Sequence, residues 1–124
     1  MKNIFVMISM FIMLSPLSNN AQSVWQAMIA GKSSGTISVK ELLDAGKLSA
    51  ADDRCLLITS FRFTAYAKNR NPIEFDSGND SLTAPMIRIL PTLPAGTKIY
   101  FEYIRSKDVR GAQPALAPMS FTLQ

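Results

Sequence analysis

The 124 residues include 13 lysines and arginines against 9 aspartates and glutamates, a single cysteine and no histidine. Without histidine the chain lacks the usual general base, the commonest transition-metal ligand and the partner of serine or cysteine nucleophiles, and one thiol makes neither an internal disulfide nor a zinc site. The excess positive charge is dispersed along the chain, which suits solubility and argues against nucleic acid as a partner.

The N-terminal segment begins with Lys2 and an apolar run from Ile4 to Leu14 that only Ser9 interrupts. This is the length of a signal-peptide core, short of the roughly 20 apolar residues that span a bilayer. Ser15 and Pro16 end the run, and Ala21 and Ser23 are small residues spaced for a peptidase. We therefore expect a signal peptide over residues 1–23, cut after Ala21 or Ser23, and a periplasmic or secreted product over 24–124 without a membrane span. No cysteine lies near the cut to carry a lipid. Removal of Lys2 leaves 12 lysines and arginines against 9 acids, and about 100 residues suffice for one core but not two. Cys55 stands in the run Cys55-Leu56-Leu57-Ile58 and is expected as a buried, inert thiol.

Residues 24–29 read as a strand with Trp25, Ala27 and Ile29 on one side, followed by a tight turn built on Gly31, Lys32, Ser33 and Gly35. Ser38 at an N-cap, Glu41 three residues later and Gly46 past the far end predict a helix over 39–45, with Leu42 and Leu43 facing the core. Residues 55–67 alternate, with Leu57, Phe61, Phe63 and Ala65 opposed to Ser60, Arg62 and Thr64, as in a half-buried strand. A turn at 69–72, an edge piece at 73–75 and a polar loop at 76–80 follow. Thr83, Ala84 and Pro85 open a helical turn that runs to Leu90 and is stopped by Pro91. Residues 98–105 place Ile99, Phe101 and Tyr103 opposite Tyr100, Glu102 and Ile104; apolar groups on both faces predict a central strand. A charged turn at 106–111 and a Pro-interrupted approach through Pro114 and Pro118 lead to a last alternating strand at 119–123, its hairpin partner. The sum is a mainly β chain, an immunoglobulin-like β-sandwich or a related β-rich fold with one or two short helices.

Chemistry is sparse along this chain. The loop 76–80 is rich in oxygen ligands but lacks the glutamate at the twelfth position of a calcium loop, and reads as a solvated turn. Asp52 and Asp53 are adjacent, so their side chains point apart in an extended chain. Gly31-Lys32-Ser33 resembles the end of a phosphate-binding loop, yet Gln26 stands where its first glycine belongs and no long helix follows. No enzymatic activity, catalytic residue, metal or cofactor is expected. Trp25, Tyr66, Tyr100 and Tyr103 are candidates for a sugar- or peptide-binding face, although strands select aromatics on packing grounds alone.

The stretch Ile29-Ala30-Gly31-Lys32-Ser33-Ser34-Gly35-Thr36-Ile37-Ser38-Val39-Lys40-Glu41-Leu42 resembles the opening of the C-terminal domain of GldM (PorM), the periplasmic shaft protein of the type IX secretion and gliding motor. Gly96-Thr97-Lys98-Ile99-Tyr100-Phe101-Glu102-Tyr103-Ile104 resembles that domain's penultimate strand. Ser34 replaces the second glycine of the family's turn, and Lys107-Asp108-Val109-Arg110-Gly111 replaces its Gly-Pro-Asp-Gly hairpin turn. The resemblance implies a β-sandwich-like periplasmic domain that meets outer-membrane-associated partners, here without the transmembrane helix and helical bundle of the motor protein. Two functions are thus expected. The first is an exported protein-binding or assembly module of the cell envelope that uses sheet edges or hairpin loops, with Arg105, Lys107 and Arg110 steering an acidic envelope protein, unless those cations merely solvate the turn. The second is a carbohydrate-binding module with an exposed aromatic face.

Overall fold

The computed structural model describes residues 26–50 and 56–124; the signal peptide expected at 1–23, Trp25, the Asp52-Asp53 pair and Cys55 lie outside the described residues. In chain order the elements are β1 (Ala27–Met28), β2 (Ser34–Ile37), α1 (Val39–Ala45), β3 (Ser49–Ala50), β4 (Leu57–Tyr66), β5 (Ile73–Ser77), α2 (Ala84–Ile89), a 3-10 turn (Leu90–Thr92), β6 (Lys98–Lys107) and β7 (Met119–Leu123). No described helix is long and apolar enough to cross a membrane.

Between Ile29 and Lys32 the chain reverses over two residues, Ala30 (φ 55°) and Gly31 (φ 75°), closed by two Ile29–Lys32 backbone hydrogen bonds of 2.9 Å. Positive φ at both central positions is the signature of a type I′ turn, whose twist matches that of the flanking strands. Glycine adopts this conformation freely, whereas alanine there costs about 1 kcal/mol. Ala30→Asn keeps the turn and should raise stability by about 0.5–1 kcal/mol, read as a rise of a few degrees in Tm.

Helix α1 forms where its caps predict it. The Glu41 amide donates to Ser38 Oγ at 3.0 Å and the Ser38 amide donates to Glu41 Oε1 at 2.9 Å. At the other end Gly46 takes φ 72° and donates to the Leu42 carbonyl at 2.9 Å. Lys32 adds an ion pair to Glu41 Oε2 at 3.0 Å and donates to the Thr36 carbonyl at 2.9 Å, tying the turn to the helix start. The Ser38 amide first, and then the Lys32 ammonium, hold the Glu41 carboxyl below its ordinary value. A carboxyl that ionises more readily in the folded chain than in the unfolded one stabilises the fold at neutral pH, and that contribution disappears as pH falls through the folded-state value. Thermal unfolding followed below about pH 5 should therefore show a loss of stability that Glu41→Gln makes shallower.

The main sheet has the order β2-β7-β6-β4-β5, antiparallel except for the parallel β2–β7 pair, so residues 98–107 do form a central strand. Its inner face presents Ile37, Phe61, Phe63, Ala65, Ile99, Phe101, Ile104, Met119, Phe121 and Leu123, all buried. They belong to one cluster with Ala27, Ile29, Leu42, Leu48, Met86 and Leu90, contributed by the β1–β3 ribbon and the helices. Phe101 occupies its centre, edge-on to Phe61 and Phe63 at 5.8 Å and to Phe121 at 6.2 Å. Among the described residues the chain is thus mainly β with two short helices. Of the two forms expected, it takes the related β-rich one, because the second layer is a two-stranded ribbon with helices and not a second large sheet.

Three local expectations are corrected. Pro91 does not end the helical run but sits inside a 3-10 turn, where Thr92 Oγ1 donates to the Ile89 carbonyl at 2.6 Å. Arg62 pairs with Glu102 and Ser60 with Arg105, so β6 takes three steps where β4 takes two, and the extra residue, Tyr103, has φ 51°. Ile58 then pairs with Ser106, which makes Thr59 the extra residue on β4. Each bulge reverses the alternation beyond it. Tyr103, expected inward beside Phe101, is therefore 69% exposed while Ile104 is buried; Leu57, expected with Phe61, is 59% exposed while Ile58 is buried.

Candidate functional site

The ribbon and helices all bury their apolar residues against one face of the sheet. Pairing register assigns Arg62, Thr64, Tyr66, Glu74, Asp76, Lys98, Tyr100, Glu102, Ser120 and Thr122 to the opposite face. Thr64 is nonetheless buried there, with its hydroxyl donating to Glu102 Oε1 at 3.2 Å. Tyr66 and Tyr100 stand edge-to-face, 5.4 Å apart at 86°. Lys98 Nζ donates to Thr122 Oγ1 at 2.9 Å.

The two bulges re-aim the end of this face. The Arg62 guanidinium lies 5.3 Å from the centre of the Tyr103 ring, in cation–π contact, and its Nε donates to Asp76 Oδ1 at 2.9 Å. The hydrogen bond that Arg62 donates to Asp76, followed by the Asp76 charge, raises the Arg62 pKa and keeps the cation firmly protonated. Tyr103 is a ridge between two depressions. One lies over Ser60, Asp76 and Ser77, and the other, of about 490 Å³, is walled by Ile104, Gln113, Leu116 and Pro118. The segment 113–118 holds its place beside β6 because Leu116 donates to the Ile104 carbonyl at 3.0 Å and the buried Ser106 hydroxyl donates to the Pro114 carbonyl at 2.7 Å.

The expected charged turn is shorter than the sequence suggests, since Ser106 and Lys107 continue β6. Asp108 organises what remains, its Oδ1 accepting from the amides of Arg110 at 2.8 Å and Ala112 at 2.9 Å. Val109, 82% exposed, and Arg110 form the tip. Arg105, Lys107 and Arg110 are thereby brought to one end of the sheet, all exposed, beside Leu57, which pairs with Lys107. None of the three cations forms an ion pair with a carboxylate among the described residues.

The remaining site residues singled out in the sequence serve the fold. Gly31, Lys32 and Gly35 shape the first reversal and the start of β2, Ser33 bridges them, and Ser38, Glu41 and Gly46 cap α1. In the loop 76–80, Ser77 Oγ donates to the Ser81 carbonyl at 2.8 Å and Asn79 Oδ1 accepts from the Ser81 amide at 2.8 Å, so these groups are spent on the turn itself. The contributions of Arg62, Asp76 and Leu57 to the exposed end escape a reading of the sequence alone. The first two meet only once the β4–β5 register is fixed, with Arg62 opposite Asp76.

Tyrosine at φ 51° carries roughly 1–2 kcal/mol of backbone strain. Tyr103→Gly removes that strain while deleting the ring, so thermal unfolding should show a variant as stable as the parent or more so. A clear loss of stability would mean that Tyr103 is kept for packing and not for its exposed surface.

No family model matches the chain, and no curated protein matches its sequence.

Proposed function

We propose that the chain is an exported, non-enzymatic protein-binding or assembly module of the cell envelope, and that the bulged end of its sheet is the contact surface. The observation that carries this proposal is the grouping of a strained, exposed Tyr103 with Arg105, Lys107 and Arg110, beside the exposed apolar Leu57 and Val109. Tyrosine and arginine dominate the energetics of protein interfaces, and a rigid aromatic rimmed by cations that have no carboxylate partner among the described residues is a surface that gains from a partner. The resemblance to the GldM terminal domain supports an envelope location and makes type IX secretion and gliding components the first partners to test.

The glycan alternative has the exposed tyrosines in its favour. Sugar chains, however, stack on free aromatic faces, whereas Tyr66 and Tyr100 meet edge-to-face and Arg62 already lies over the Tyr103 ring. The protein reading is therefore preferred. Its test is affinity capture from envelope extract at low salt with crosslinking, using the chain as bait. A specific protein recovered in a salt-sensitive manner is the expected result, and recovery of none would overturn the proposal.

A further inference from the structure

We infer that this surface recognises an acidic, extended peptide segment of the partner, seated in the groove between Tyr103 and the segment 113–118, with its carboxylates on Arg105, Lys107 and Arg110. The inference rests on the protein-binding reading and specifies its chemistry.

Electrostatics select the sign of the occupant. Every described carboxylate at this end already has internal work: Asp76 holds Arg62, Glu102 accepts from Thr64, and Asp108 accepts two amides of its own loop. The three cations have no such partner among the described residues. With Arg62 and Asp76 counted as a neutral pair, Arg105, Lys107 and Arg110 outnumber Glu102 and Asp108, so the described charge at this end is net positive, and a carboxylate arriving here displaces no ion pair among the described residues.

Geometry selects an extended chain. Arg105 and Lys107 are two residues apart on one strand, hence roughly 7 Å apart along it, which is the repeat of alternate side chains in an extended peptide. Beside them the groove is mostly apolar, with Ile104, Leu116, Pro118 and the Tyr103 ring around Gln113, and with Glu102 and Arg105 as its charged lining. Such a groove takes aliphatic side chains and offers the Gln113 amide to a peptide group. It is also held in shape beforehand, by the Arg62–Asp76 clamp on Tyr103 and by the hydrogen bonds of Ser106 and Leu116, so little ordering is left for binding to accomplish.

The probe is a capped hexapeptide of alternating glutamate and leucine, compared with its glutamine counterpart and with hexagalacturonate, each titrated into the ¹⁵N-labelled chain. The acidic peptide should shift the amides of Tyr103, Arg105, Gln113 and Leu116, and should bind at least tenfold more tightly than the glutamine peptide. The triple variant R105E/K107E/R110E should lose that preference, and R110E alone, at the exposed loop tip, should weaken binding about threefold even if the triple variant folds poorly. Equal binding of the two peptides, shifts confined to other surfaces, or tighter binding of the galacturonate would overturn the inference. If envelope capture persists undiminished with R105E/K107E/R110E, this site is wrong while the protein-binding reading stands. If the parent chain captures nothing, both fall.

Discussion

Phe101→Ala should destabilise the chain by about 3–5 kcal/mol, the largest effect expected of a single substitution. Phe101 is wholly buried on the central strand and is in edge contact with three other rings. Each contact adds to the area that the ring removes from water, and with β4 on one side and β7 on the other the cavity has little freedom to collapse. Phe75 makes a useful control, because it lies on the edge strand β5, is only half buried, and meets Phe63 alone at 6.4 Å. Urea denaturation should rank Phe101→Ala well above Phe75→Ala, with unchanged m-values. Equal costs would contradict the placement of Phe101 at the centre of the core.

Leu42→Ala should cost about 2–5 kcal/mol. Seven residues make a helix too short to persist by propensity, so α1 depends on its caps and on the one side chain it fully buries. The effect should also be local: hydrogen exchange at the Leu42 and Gly46 amides should accelerate before that of the amides of β6. Leu43→Ala removes a partly buried group that packs on the margin of the same cluster, and should cost clearly less. If the two variants behave alike, the helix is oriented differently from the orientation described.

Much of the fold was legible because short-range chemistry determined it. The Ser38–Glu41 capping box and Gly46 delimit α1 within its own sequence, and period-two alternation locates β4, β6 and β7. What escaped were the two bulges, because a bulge belongs to a pair of strands and has no mark in either alone. Tyr103 and Leu57 look like core positions by periodicity and face solvent in the structure. The candidate site was legible in part for the same reason. Arg105, Lys107 and Arg110 stand out as a cluster of charge in the sequence, but the ridge that gives them a groove exists only because β6 carries one residue more than its neighbour.

The parallel pairing of β2 with β7 has a consequence for how the chain reaches its folded form. Ser34 meets Ser120, Ile37 meets Leu123, and the amide of Gln124 donates to the Ile37 carbonyl at 3.0 Å. Two segments more than 80 residues apart in the sequence must therefore meet before the sheet can close, and such high contact order slows folding.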